Sequence, residues 1–294
     1  MSSEAAVALR EDPPSVAGYV PQFVAARPRL PGHGLPWLEA LRGEAMERFR
    51  RHGFPTRKVE AWKFTSLAAL ERVPFRVAIA DEAPALEEAV VAPLRLAPEC
   101  HLAVFVNGRF RPGLSDLARL PEGSRFASLA EAGEDELRAL AAPPAVAGAP
   151  AARGLMDLNT AFMGDGAVLR LGPGAILDPI QLLFIALPAD EPALFQPRSL
   201  IEAAAGTSAT VLETHASLGE GLYWTNAVTR IRVGEHAVLR HYKLQAESGS
   251  AYHTAETSVR LSEKAAYRQF TLSTGARLAR NELDIALSAP DAEA

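Results

Sequence analysis

Beyond residue 165 the sequence falls into short β-branched runs punctuated by glycine, and these runs repeat. Four alanines, Ala175, Ala209, Ala237 and Ala265, each follow a small turn residue by three positions, Gly172, Gly206, Gly234 and Ser262, with successive gaps of 34, 28 and 28 residues. Before each turn stand paired apolar positions, Leu169/Leu171, Ala203/Ala205, Ile231/Val233 and Val259/Leu261, around Arg170, Ala204, Arg232 and Arg260. Two residues after each alanine come Leu177, Val211, Leu239 and Tyr267. This is the alternation of strands with apolar side chains turned inward and charges outward. Past the anchor the inward set is expected to slip by one residue to Ile180, Thr214, Tyr242 and Phe270, then Leu182, Ala216, Leu244 and Leu272, which predicts a corner. Coils of about 28 residues that complete one another's core predict a right-handed parallel β-helix. An antiparallel sandwich would also alternate, but agreement position by position across four repeats weighs against it. Ile285-Ala286-Leu287-Ser288 opens a further coil 26 residues after Val259, and the sequence ends at Ala294. The natural chain is therefore expected to extend past residue 294, or to have its last coil covered by another molecule.

The first half reads as a mixed, largely helical domain over residues 1–150, with the β-helix core over 151–294. Residues 1–30 are weakly periodic, with one short helix. From Leu35 to His52 the apolar positions Leu38, Leu41, Ala45 and Phe49 mark a helix face, Pro36 lies in its first turn and Gly53 at its end. Asn107-Gly108 between Val104-Phe105-Val106 and Arg109-Phe110 predicts a hairpin near 102–110, since both turn residues tolerate positive φ. Residues 128–140 look helical, and 141–152, with Pro143, Pro144 and Pro150, read as a linker.

Composition narrows the function classes. With 48% hydrophobic residues in 294, a disordered, collagen-like or disulfide-stapled chain is excluded. Thirty Lys+Arg against 35 Asp+Glu argues against neutralising nucleic-acid phosphates. The longest apolar run, Leu182 to Leu187, is far shorter than a bilayer requires, and no secretory signal is evident, so a cytoplasmic location off the membrane is expected. The single cysteine, Cys100, cannot build a cysteine-rich metal site alone and reads as a buried small hydrophobe. Gly164-Asp165-Gly166 and Gly172-Pro173-Gly174 do not extend to a nucleotide fingerprint, and the P-loop, Gly-x-Ser-x-Gly and His-Glu-x-x-His motifs are absent. No catalytic, cofactor or metal-ligating residue is assigned. In the repeat register Glu213, His241 and Gln269 form an outward ladder, with His215, Lys243 and Thr271 two residues on. A Glu213–His241 contact across adjacent coils is either half of a metal or general-base pair or a solvent-facing polar ladder. Arg232 over Arg260 and Arg240 over Arg268 are like-charge stacks that want acidic partners, from loops or from another protein.

The stretch Arg57-Lys58-Val59-Glu60-Ala61-Trp62-Lys63-Phe64-Thr65-Ser66-Leu67, and Leu158 to Gly166 followed by Leu169-Arg170-Leu171-Gly172-Pro173-Gly174, resemble two motifs of the SufB/SufD family of iron–sulfur cluster assembly scaffolds, in the same order. The first is more similar to the SufD branch, and the likeness runs from about residue 35 to the end. The resemblance implies a non-catalytic subunit, not an enzyme, that pairs with a SufB-like subunit through the β-helices. It also implies docking of a SufC-like ATPase through a helical region beyond residue 294, and a transient Fe–S cluster only in the full complex. The family's interface histidine and cysteine also lie beyond residue 294, so no cluster ligand is assigned and no cofactor is expected in this fragment. Arg57, Glu60, Trp62 and Lys63 are read as a family marker that packs the N-terminal domain. In isolation the chain is expected to self-associate, as a homodimer or larger. The alternatives are a carbohydrate-active β-helix enzyme, for which the ladders carry only isolated acids, and a purely structural protein-binding solenoid.

Overall fold

The computed structural model describes residues 13–79, 85–145, 149–176 and 178–294, and over these the repeats form a β-solenoid of about four turns. The chain begins with helices α1 (Pro14–Ala17), α2 (Tyr19–Ala26) and α3 (Pro36–His52). Gly53 closes α3 at φ 63°, a left-handed conformation that glycine adopts without strain. Strand β1 (Arg76–Val77), helix α4 (Glu88–Val91), strands β2 (His101–Val106), β3 (Arg109–Phe110) and β4 (Arg125–Ser128), and helices α5 (Glu134–Ala141) and α6 (Gly154–Phe162) lead into the coils. The coils comprise β5 (Ala167–Leu171), β6 (Gly174–Ala175), β7 (Ile180–Ala186), β8 (Ala193–Phe195), β9 (Arg198–Ala203) and β10 (Thr207–Ser217). They continue with β11 (Tyr223–Val233), β12 (Val238–Ala246), β13 (Tyr252–Leu261), β14 (Ala266–Ser273) and β15 (Leu278–Leu287).

Two sheets face each other. One runs β4-β5-β9-β11-β13-β15, with β8 and then β1 continuing beside β11; the other runs β3-β2-β7-β10-β12-β14, with β6 beside β10. Every pairing between coils is parallel, while β2–β3 and β4–β5 are antiparallel. The hairpin forms as its Asn-Gly turn predicts, with Asn107 at φ 49° and Gly108 at φ 75°. Its strand β2 lies in register beside β7, and β4 beside β5, so residues before position 150 contribute to the same sheets as residues after it. The segment 128–140, expected to be helical, ends β4 at Ser128, makes a 3-10 turn over Leu129–Glu131 and enters α5 at Glu134.

Two corrections to the repeat follow. First, β9 and β10 are displaced by two residues from the sequence alignment: Ile201 and Ala203 pair with Ile231 and Val233, and Ala209 pairs with Leu239. Toward β11 and β12 the displacement is even, so parity survives while the partners change; toward β7 it is three residues, Ile180 pairing with Val211 and not Thr214. Glu202 thus falls between Arg170 and Arg232, at 2.9 Å from each, and the acid that Arg232 needs comes from the neighbouring strand. Second, β10 and β12 run straight and no parity slip occurs. Val211, Glu213 and His215, and Leu239, His241, Lys243 and Gln245, all point inward, whereas Tyr242, Phe270 and Leu272 are exposed. Leu177 lies outside the described residues.

The interior divides along the strand direction. At one end Leu169, Leu171, Ile201, Val211, Ile231, Val233, Leu239, Val259 and Leu261 stack into a dry core between the sheets. The outer face of the first sheet is covered by the N-terminal region, where Phe54, just past α3, and Phe75, just before β1, pack on Trp224 at 5.9 and 5.7 Å between ring centroids, and Phe75 on Tyr252 at 6.1 Å. Arg198 anchors that layer from β9. Its buried guanidinium donates to Leu140 O at 2.9 and 3.1 Å, to Asn159 Oδ1 at 3.0 Å and to Thr160 Oγ1 at 3.1 Å. Asn159 in turn donates to Pro197 O and Asn226 O, bracing the break between β8 and β9. Asp165 accepts from Ser128 Oγ at 2.5 Å, Gly166 N at 2.7 Å and Phe110 N at 2.8 Å, tying the hairpin, β4 and β5 together.

Gly166 sits at φ 153° against β9, where an added Cβ would stand 2.1 Å from Arg198 O. Gly166→Ala should therefore destabilise the chain by at least about 1–3 kcal/mol, since backbone rather than a flexible side chain must move. Denaturant melts of the two proteins measure this, and equal midpoints would refute the close approach.

Candidate functional site

Where the dry core ends, the same inward columns turn polar. Straight alternation carries Glu213 and His215 on β10, and His241, Lys243 and Gln245 on β12, into the space between the sheets, and the facing strands supply Thr225, Thr229 and His253. Glu247, just past β12, completes the group. All of these side chains are buried.

Glu213 is the centre of one half. Its carboxylate lies 2.8 Å from His215 Nε2, 3.2 Å from Lys243 Nζ and 3.3 Å from His241 Nε2, and accepts from Thr229 Oγ1 at 3.3 Å. Burial alone would drive this carboxyl up; the Lys243 ammonium and the bonds from His215 and His241 outweigh it and hold it well below the ordinary carboxylate range. Glu247 is the centre of the other half. It accepts from Thr225 Oγ1 at 2.7 Å and Gln245 Nε2 at 3.1 Å, and His253 Nδ1 lies 2.6 Å away. Burial again pushes up, and His253 with the other donors brings the Glu247 carboxyl down to about 2. The two halves touch through their imidazoles, His215 and His253, edge to face at 4.8 Å, with His215 also stacked on Phe184 at 4.9 Å. His241 Nδ1 reaches Tyr267 Oη at 2.9 Å. Burial lowers His253 to about 4, against the pull of Glu247, so its ring is neutral at pH 7. His253 Nε2 and Gln245 Oε1 have no hydrogen-bond partner among the described residues.

The predicted pair Glu213 and His241 does meet, but inside the solenoid and not on an outward ladder, and diagonally. Directly opposite Glu213 stands Lys243, and opposite His241 stand Val211 and Gln269. His215 faces Gln245 rather than Lys243. Sequence reading missed Glu247, His253, Thr225 and Thr229. The signal was available: keeping one parity from Leu239 through His241, Lys243 and Gln245 leads directly to Glu247. Chemically the cluster keeps two carboxylates ionised in a water-poor interior and aligns neutral and charged donors between them. Among the described residues, no group of three or more His, Cys, Asp and Glu is arranged to hold a metal ion. Cys100 is buried at the start of β2, and burial pushes its thiol up.

The marker residues lie elsewhere. Trp62 is buried, and the Arg280 guanidinium of β15 sits 4.0 Å over its ring and donates to Thr65 Oγ1 at 2.9 Å and to Ala61 O at 2.6 Å. Arg57 Nε donates to Lys63 O at 3.2 Å, while Glu60 and Lys63 pair at 3.6 Å on the exposed side. No helix among the described residues is long and apolar enough to cross a membrane.

Comparison with known proteins completes the picture. The family model for the SufBD protein N-terminal region matches residues 15–182, and that for the SUF system FeS cluster assembly, SufBD core domain, matches 185–294. A SufBD family protein of iron–sulfur cluster assembly from Synechocystis is 29% identical over 79% of this chain and 52% of its own length. The iron–sulfur cluster assembly protein SufD of Escherichia coli is 32% identical over 80% of this chain and 53% of its own length. The chain thus spans about half the length of these curated relatives.

The polar cluster makes stability depend on pH with a definite sign. His253 and Glu247 both have folded values below their ordinary ones, about 4 against 6.5 and about 2 against 4.5, so below each ordinary value the unfolded chain binds the extra proton. Stability is full above pH 6.5 and falls as pH drops toward 4, by roughly 3 kcal/mol for His253 if its whole shift is expressed. Thermal melts between pH 7.5 and 4 should show the loss, and His253→Gln should flatten it (about pH 6.5 to 4, the window of that shift). An unchanged slope in the variant would remove His253 from the account.

Proposed function

The chain belongs to the SufB/SufD family of the SUF iron–sulfur cluster assembly system, and on that premise we propose that it is a non-catalytic scaffold subunit of a SufBCD-like complex. In this reading it works in the cytoplasm, pairs through its solenoid with a SufB-like subunit and acts together with a SufC-like ATPase. The observation that carries the reading is the continuous solenoid from β5 to β15, which lies within the stretches matched by the SufBD N-terminal and SufBD core domain models. The buried cluster supports a scaffold rather than a reaction centre, because its carboxylates are engaged by the adjacent rung and the facing sheet and are closed off from solvent.

Co-expression with SufB-like and SufC-like proteins of the same organism tests this. The expected result is co-elution in one complex, and elution of this chain alone would overturn the reading. The chain by itself is proposed to hold no cofactor, with a transient cluster forming only in the complex. Anaerobic incubation with iron and sulfide should leave it without stoichiometric cluster absorbance, and a stable cluster on the isolated chain would contradict this.

A further inference from the structure

The outer face of the second sheet changes character partway across. Over β7 the outward Leu183 and Ile185 are buried, covered together with Val104 and Val106 by Val91 and the residues around it. Two strands further on, the outward face of β12 and β14 is just as apolar and has no cover. Tyr242 pairs with Phe270 and Leu244 with Leu272, and exposure reaches 43% at Tyr242, 58% at Phe270 and 46% at Leu272. Next along the same strands, Arg240 stands directly opposite Arg268. On the first sheet the outward Arg170 and Arg232 share Glu202, at 2.9 Å from each. Here Arg240 reaches only Ser208 Oγ at 3.4 Å, and none of the six outward positions carries a carboxylate. A like-charge pair held directly opposite on a parallel ladder is unfavourable until a negative charge joins it.

We propose that this face, Arg240, Tyr242 and Leu244 with Arg268, Phe270 and Leu272, is a docking surface for one kind of occupant: a segment of a partner subunit that lays apolar side chains over the four apolar residues and sets acidic side chains against the two guanidinia. Charge complementarity selects that occupant. A second copy of the same face would bring guanidinia against guanidinia or against leucine. The exposed rings supply the desolvated anchor and the arginines fix the orientation along the strands. The proposal rests on the assembly reading above, since the partner is a subunit of that complex.

A photo-crosslinking phenylalanine derivative placed at position 270, in the complex reconstituted with SufB-like and SufC-like subunits, tests the face, and co-elution in the same preparation tests the assembly separately. The expected result is a crosslink mapped to a partner segment that carries Asp or Glu within a few residues of its apolar contact. Arg240→Glu with Arg268→Glu should reduce its yield about tenfold, with the melting curve of the exposed double variant unchanged. Co-elution with no crosslink overturns the face alone. So does a crosslink within the chain or to a second copy, one to a segment without acids, or a yield indifferent to charge reversal. Absence of co-elution overturns both proposals.

Discussion

A parallel stack sets each side chain directly above its counterpart on the next rung, roughly 4.8 Å away, so every inward column must be chemically compatible with itself. The dry half of this solenoid meets the condition with aliphatic residues, Leu169 over Ile201 over Ile231 over Val259. The polar half meets it on the second sheet by never placing like charge on like. Leu182, Glu213, Lys243 and Thr271 form one column, and Phe184, His215, Gln245 and Ser273 the next. Buried ions are costly to desolvate. Here each carboxylate draws its compensation from the rung beside it and from the facing sheet, which makes the charged interior a property of the stacking itself.

The same constraint governs the outer face of the first sheet. Parity that sends Thr225 and His253 inward sends Trp224 and Tyr252 outward, and the N-terminal region closes over them with Phe54 and Phe75. Arg198 is the polar counterpart of that closure. It has no carboxylate at its guanidinium and is satisfied by a helix-end carbonyl, an amide and a hydroxyl, and burial lowers it to about 9 without removing its charge at neutral pH. One strand residue thereby fixes α5 and α6 against the sheet.

Much of the fold was legible because alternation is a strong signal. The strands from Ile231 to Leu261, the Asn107-Gly108 hairpin and the helix ending at Gly53 all stand where their residues indicate. The alignment failed by two residues at β9 and β10, because alanines on both sides of the turn at Gly206 offered two equivalent registers, and only pairing decides between them. The interior cluster was misread for a different reason. Glu213, His241 and Lys243 are residue types assigned to solvent on chemical grounds, so the pattern was bent to keep Tyr242, Phe270 and Leu272 inside. The structure keeps the geometry and gives up the polarity rule, burying the charges and exposing the rings. The partners that make this stable, Thr229 and Thr225 on the opposite sheet, lie outside any single strand's pattern.

The clasp of Arg280 on Trp62 has a consequence in time. Its bonds to Ala61 and Thr65 join residues 219 and 215 positions apart, far longer in sequence than the coil-to-coil contacts. A ribosome releases a chain from its N-terminus at roughly 5–20 residues per second, so Trp62 emerges at least about ten seconds before the strand that covers it. Contacts of such separation are the last to be rewarded in folding. Arg280 can close over the tryptophan only once β15 has joined the stack, so this contact is a latch made last along the chain.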